Sequence, residues 1–203
     1  MIKIGITGGI GCGKSEVCNI LQREGIPIIH ADKVAQLLIN NKEKIKSKII
    51  ETFGEDAYLP NGEINRKKVA QIIFNDESAK EKINEIVHPH VLQYQEQTLD
   101  RLKNSGKFKI AGAEAALIYE AGSESQFDFV IVVSAEKETV IKRLTGRDGF
   151  DKDEILKRIA SQMDLSKKVK RADYVIHNDG TIQDLEKEVG KLLAWLQEKA
   201  DQL

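Results

Sequence analysis

Eight residues near the start of the chain, Gly8-Gly9-Ile10-Gly11-Cys12-Gly13-Lys14-Ser15, have the spacing G-x-x-x-x-G-K-S and directly follow the apolar run Ile2-Lys3-Ile4-Gly5-Ile6-Thr7. Such a stretch does phosphate chemistry. Its glycines let the backbone curl so that successive N–H groups point inward, and a helix opening near Gly13 adds the positive end of its dipole. Lys14 is placed to reach the β and γ phosphates of a nucleoside triphosphate, and the Ser15 hydroxyl to take a coordination position on the Mg²⁺ that bridges them. Gly9, Gly11, Cys12, Gly13, Lys14, Ser15 and the adjoining Glu16 are therefore the candidate ATP-binding residues.

Phosphoryl transfer to an alcohol also needs a proton acceptor and mobile cations. Residues 26–30 form a second apolar strand that delivers Ala31-Asp32 at its C-terminal end, where open α/β sheets place their ligands. Asp32 is the candidate general base; its competing role is the N-cap of a helix beginning at Lys33. The segment Lys142-Arg143-Leu144-Thr145-Gly146-Arg147-Asp148-Gly149 carries two arginines four apart, on one face if the helix extends that far. Beside Gly146 and Gly149 they suit a lid closing over ATP, with Arg143 binding the nucleotide and Arg147 acting on the transferred group; the alternative is a solvated cationic helix end. None of the four histidines is grouped with acids or cysteines at ligand spacing. His30 and His177, at strand ends, read as structural, whereas His88 faces the acceptor side.

Competing classes of nucleotide protein lose ground. GTP-binding switches need an N-K-x-D motif, and the nearest string, Asn41-Lys42-Glu43-Lys44, lacks the aspartate. Glu114 or Asp32 could be the acid of a motor or transporter ATPase, but 203 residues are few for either. With 31 basic against 32 acidic residues, no chain-wide field attracts nucleic acid or an acidic membrane. No stretch approaches the ~20 apolar residues of a membrane span. Cys12 and Cys18 suit neither a disulfide framework nor a metal clip, so a reducing, cytoplasmic setting is expected, with the chain acting as a monomer or weak homo-oligomer.

The elements that must position these groups are legible as hydrophobic periodicity. Val17, Ile20 and Leu21 make Lys14–Arg23 a helix, ended by Gly25. Residues 33–106 read as helical throughout: Val34, Leu37 and Leu38 in one segment, Ile45, Ile49, Ile50 and Phe53 in the next, then 66–74, then a long helix over 78–104 with a break near His88-Pro89. So long an insertion between strands is a subdomain covering the acceptor. Strands are expected at 107–113, 129–133 and 174–177, and helices at 137–145, 151–168 and along Leu185, Val189, Leu192 and Leu196. Near-continuous apolar strands spaced by helices imply a parallel sheet covered on both faces. The reading is an α/β, three-layer α/β/α fold on a five-stranded parallel sheet, as one domain: core 1–32, 107–142 and 171–203, helical acceptor-binding subdomain 33–106, lid 143–170.

In order and spacing, essentially the whole chain resembles the dephospho-coenzyme A kinases, a family of the P-loop NTPase fold. The resemblance rests on Thr7 to Ser15, similar to the family's T-G-G-I-G-S-G-K-S, and on His30-Ala31-Asp32, similar to its D-A-D. His88-Pro89, the segment Leu117-Ile118-Tyr119-Glu120, similar to its L-L-x-E, and the Arg143 to Asp148 lid add to it. It implies transfer of the ATP γ-phosphoryl group to the ribose 3′-hydroxyl of dephospho-coenzyme A, with Asp32 as base, Lys14 and Ser15 holding ATP-Mg²⁺, Arg147 as lid cation, and Arg66 among the acceptor-binding residues with Asp32 and His88. Among the departures from the family pattern, Glu16 replaces a hydroxyl residue, Ala116 the proline that opens P-L-L-x-E, and His30 the first acid of D-A-D. Alternatives of the same chemistry or site are a kinase of another small acceptor, such as a nucleoside monophosphate or hydroxy acid, and a nucleotide-dependent binding module without transfer.

Overall fold

The computed structural model describes residues 1–148 and 151–202, apart from the side chains at 74, 75, 77, 147 and 148. A five-stranded sheet in the order β2-β3-β1-β4-β5 organises it, built from β1 (Ile2–Gly8), β2 (Ile28–His30), β3 (Ile110–Glu114), β4 (Phe129–Ser134) and β5 (Tyr174–His177). β1 runs parallel to β3 and to β4, and β4 parallel to β5. The strand preceding the glycine-rich loop is thus central, and its C-terminal end opens where such sheets bind ligands.

Alternation along β4 divides the sheet between two cores, because successive strand side chains point to opposite faces. Ile131 and Val133 join a cluster with Val17, Leu21, Val140, Leu144, Leu185, Val189, Leu192 and Leu196. These come from α1 (Lys14–Arg23), α6 (Lys137–Asp148) and α9 (Ile182–Asp201). Val130 and Val132 face Ile118 and Tyr119, with Val169 of α8 (Leu165–Arg171) packed alongside. The α/β/α layering follows from that alternation. Trp195 of α9 closes the first core edge-on to Phe129, with ring centroids 4.9 Å apart.

The chain divides into two compact units, Met1–Ile29 with Leu99–Leu203, and His30–Thr98. The second is helical: α2 (Ala31–Asn41), α3 (Glu43–Phe53), α4 (Arg66–Asn75) and most of α5 (Glu77–Asn104). Val34, Ile45, Ile49, Tyr58, Val87 and Val91 are buried there, and the Tyr58 hydroxyl donates to the Ile39 carbonyl at 2.9 Å. Burial pushes the Tyr58 hydroxyl up to about 12, with Glu43 adding to the rise.

Several boundaries differ from the sequence reading. α5 runs unbroken past Pro89 for 28 residues; the ring removes one N–H, but Val87 and Val91 on either side stay buried, and that packing keeps the helix going. The single helix expected over 151–168 is two, α7 (Lys152–Ala160) and α8, because the Asp164 carboxylate accepts the Ser166 N–H at 2.7 Å and starts a new helix. β2 is shorter than 26–30 because Pro27 has no N–H, although its carbonyl still accepts from Gly112 at 2.9 Å. β3 begins at Ile110 rather than 107.

Leu192 of α9 is fully buried in the larger core. Leu192→Ala is expected to lower unfolding free energy by ~2 to 5 kcal/mol, the range for a buried leucine, measured as a fall in urea midpoint at unchanged m-value.

Candidate active site

The phosphate loop leaves β1 and turns into α1, whose N-cap is Gly13 in a left-handed conformation with φ 93°. Two glycines are required by contact as well as by dihedral. A Cβ on Gly8 would lie 2.1 Å from the Val133 carbonyl oxygen, and one on Gly13 would lie 2.2 Å from Asn178 Nδ2. The Lys14 ammonium folds back over the loop, donating to the carbonyls of Gly8 (3.2 Å) and Gly9 (3.0 Å). The first N–H groups of α1 have no carbonyl of their own helix to reach, so they and the dipole present a positive concavity. Cys12 is buried at the bottom of the loop, and burial raises its thiol although Lys14 opposes the rise. The Ser15 hydroxyl is exposed at the start of α1, and the Glu16 carboxylate accepts from Asn19 Nδ2 at 3.3 Å along the same helix.

Asn178, just past β5, holds this loop from behind. Its Nδ2 donates to the Cys12 carbonyl at 2.9 Å, its Oδ1 accepts from Arg143 Nη2 at 3.4 Å, and its backbone N–H reaches the Ser134 carbonyl at 2.8 Å. Arg143 of α6 is thereby tethered near the loop, and its Nη1 is buried without a hydrogen-bond partner, a donor left over for a ligand. Locally Asn178-Asp179-Gly180 suggests only a turn; the contact partner is 166 residues away, and no local pattern carries it. A cavity of about 400 Å³ adjoins the loop, lined by Gly9, Ile10, Cys12, Val140, Gln162 and Met163 among others.

A buried cation was also missed. Lys168 of α8 is completely buried, and its Nζ donates to Glu120 Oε1 and to the Ala116 carbonyl, both at 2.7 Å. Glu120 also accepts the Met163 N–H at 2.9 Å. Burial would raise the Glu120 carboxyl, but the bonds from Lys168 and Met163 outweigh it and hold the group below its ordinary value. The Thr7 hydroxyl donates to the same Ala116 carbonyl at 3.1 Å. Where the sequence departs from proline at 116, the working atom is thus the carbonyl, which alanine and proline share.

Of the remaining sequence-derived candidates, Asp32, Arg66 and His88 belong to the second unit. Asp32 is exposed in the first turn of α2, which begins at Ala31 with His30 at the N-cap. It is therefore not the N-cap of a helix starting at Lys33; its carboxylate adds to the favourable end of the dipole instead. Arg66 is the exposed first residue of α4, and His88 lies midway along α5. α6 extends to Asp148, so positions 143 and 147 fall one turn apart, but the Arg147 side chain and Gly149 lie outside the described residues. Glu114, at the C-terminal end of β3, is buried and near enough to Cys18 to reinforce the rise of that thiol to about 12, which burial mainly causes.

Comparison with known proteins gives this geometry a family. The family profile described as dephospho-CoA kinase matches residues 2–184. The chain belongs to the dephospho-CoA kinase family. A dephospho-CoA kinase of Listeria innocua is 39% identical over 186 residues, 92% of each chain. The solved dephospho-CoA kinase from Campylobacter jejuni superposes with a TM-score of 0.67 at 26% identity, covering 96% of both chains. A shikimate kinase from Bacteroides thetaiotaomicron shares the fold, with TM-score 0.57 at 15% identity and coverage of 97% and 98%.

Two outcomes follow for the site. Gly13→Ala places a Cβ against Asn178 Nδ2 at a positive φ, and is expected to weaken ATP binding about tenfold or more in titration calorimetry. Because the folded Glu120 carboxyl binds its proton less readily than in the unfolded chain, its contribution to stability is full above its unfolded value, about 4.3, and is lost as pH falls through the folded one. Denaturation curves between about pH 6 and pH 3 are therefore expected to fall more steeply for wild type than for Glu120→Gln.

Proposed function

We propose that this chain transfers the γ-phosphoryl group of ATP to the ribose 3′-hydroxyl of dephospho-coenzyme A, with the phosphate loop holding ATP and Asp32 taking the hydroxyl proton. The observation that carries the reading is an intact G-x-x-x-x-G-K-S loop in a chain whose family match spans residues 2–184. As a member of that family the chain is an ATP-dependent kinase, acting at the final step of coenzyme A biosynthesis.

In this mechanism N–H groups of the loop from Gly11 to Ser15 bind the polyphosphate. The Lys14 ammonium exchanges its two carbonyl contacts for β- and γ-phosphate oxygens. The 3′-oxygen forms a bond to the γ phosphorus as the bond to the β,γ-bridging oxygen breaks, ADP leaves, and the proton passes to the Asp32 carboxylate. Arg143 binds the nucleotide, Arg147 stabilises charge on the transferred group, and Arg66 and His88 contact the acceptor. The donors present suit Mg²⁺, since the Ser15 hydroxyl and the Glu114 carboxylate are hard oxygen ligands at the loop and at the neighbouring strand end. Ser15 would hold Mg²⁺ through ATP, and the ion would supply neutralisation of phosphate charge.

Every residue invoked comes from one chain, so a monomer or weak homo-oligomer suffices. Cys12 and Cys18 are both free and buried, which fits a reducing cytoplasm. No helix among the described residues is long and apolar enough to cross a membrane.

Product analysis tests the reading. Incubation with ATP, Mg²⁺ and dephospho-coenzyme A is expected to give coenzyme A and ADP in equal amounts, while mononucleotides and hydroxy acids stay unmodified. Asp32→Asn is expected to retain ATP binding and to lower turnover by ~10² to 10⁴, the range for a lost general base, and Lys14→Ala to lose both. Turnover of a different acceptor discards the substrate, and ADP alone discards the transfer.

A further inference from the structure

The contacts around the loop join into a closed ring. The Ile10 N–H, in the first half of the phosphate loop, donates to Gln162 Oε1 at 3.1 Å, across 152 positions of sequence. Gln162 lies between α7 and α8, and the next residue, Met163, donates its N–H to Glu120. Glu120 pairs with Lys168, Lys168 donates to the Ala116 carbonyl, and Thr7 donates to that same oxygen. Thr7 is three residues before Ile10, so the chain itself closes the circuit. Leu165 sits over the same half of the loop: a Cβ on Gly9 would be 3.9 Å from its methyl carbons.

We propose that Gln162 is a positioning residue for the phosphate-binding loop, its side-chain carbonyl fixing the Ile10 peptide from a base that the pairing of buried Lys168 with Glu120 makes rigid. An ion pair with a buried partner is a poor source of stability, because apolar side chains of similar volume often serve the fold as well. What it does supply is direction, since the buried Lys168 ammonium holds Glu120 Oε1 and the Ala116 carbonyl together, and Glu120 Oε1 in turn takes the Met163 N–H. The second half of the loop has Asn178 behind it and α1 after it. The first half, Gly9 to Gly11, has two glycines and so little stiffness of its own; within the loop the Cys12 N–H reaches the Gly9 carbonyl only at 3.4 Å. Gln162 supplies the outside contact. By holding Ile10 it presets the curvature that the polyphosphate meets, and it ties that curvature to the segment between the two helices that follow α6.

This inference rests on the phosphate-loop reading given above, and the experiment separates the two. Wild type, Gln162→Met and the neutral pair Glu120→Gln/Lys168→Met are compared for KM of ATP, KM of dephospho-coenzyme A, kcat, melting temperature and hydrogen exchange at the Ile10 amide by NMR. Gln162→Met keeps the length of the half-buried side chain and removes the acceptor. It is expected to speed Ile10 exchange and to raise the KM for ATP about 3- to 15-fold, the worth of one hydrogen bond, with the acceptor KM and melting temperature unchanged. The neutral pair is expected to move the ATP KM the same way, and its combination with Gln162→Met to do no more than the larger single effect. Unchanged Ile10 exchange, an unchanged ATP KM, or an equal rise in both KM values overturns the proposal; if the neutral pair fails to fold, Gln162→Met alone decides. ATP binding that survives Lys14→Ala overturns the phosphate-loop reading and this proposal with it, whereas loss with Lys14→Ala and indifference to Gln162→Met overturns only the proposal.

Discussion

A backbone loop that offers its N–H groups to an anion cannot spend them on its own hydrogen bonds. Ordinary turns are held by such bonds, so this one has to be held by everything around it. The constraint explains an otherwise scattered set of contacts. Gly8 is pressed onto the Val133 carbonyl, and Gly13 onto Asn178; Lys14 takes two carbonyls of the loop. Asn178 grips the Cys12 carbonyl, the acceptor side of a peptide whose donor side faces the other way. Apart from the Ile10 N–H, which Gln162 takes, carbonyls anchor the loop so that the other amides remain available. The parallel sheet, with β1 at its centre, gives these contacts a stiff base.

How much of this the sequence discloses depends on how local each cause is. The G-x-x-x-x-G-K-S spacing and the Val17, Ile20, Leu21 stripe lie within a few residues, and the helix begins and ends where they say, at Lys14 and Arg23. β5 is likewise legible from its own apolar run. Asn178, Gln162 and Lys168 were not legible as site residues. Each acts on an atom between 52 and 166 positions away, and each sits in a stretch that reads locally as a turn or a charged helix. Lys168 is the sharpest case. It stands in a run of cations, Lys167-Lys168-Val169-Lys170-Arg171, where the natural reading is a solvated face, yet it is completely buried. Pro89 and Asp164 show the same competition on a smaller scale: burial on both sides of Pro89 overrode a helix breaker, and a cap at Asp164 broke a helix whose periodicity looked continuous.

The departures from the family pattern sort by which atom carries the contact. Ala116 works through its carbonyl oxygen, so the identity of the side chain matters little to the bonds from Thr7 and Lys168. His30 stands at the N-cap of α2 and makes no capping bond with its side chain, so that helix start relies on backbone and on the acid at Asp32. Glu16 is a side-chain departure in the full sense. Its carboxylate is occupied by Asn19 one turn along α1, which is where a helix offers an i, i+3 partner.

The chain has one tryptophan, and its position decides what light can report. Trp195 projects from α9 between Phe129 of β4 and Tyr174 of β5, with its indole 4.9 Å and 5.2 Å from their ring centroids. Its neighbours are all sheet and helix residues of the first unit. Intrinsic emission is consequently a gauge of whether the sheet and its last helix are assembled. Unfolding confined to the helices of the second unit, where Tyr58 and Tyr94 are the ring fluorophores that absorb beyond phenylalanine, leaves that gauge unmoved. An optical melting curve taken on tryptophan alone is therefore a melting curve of the first unit only.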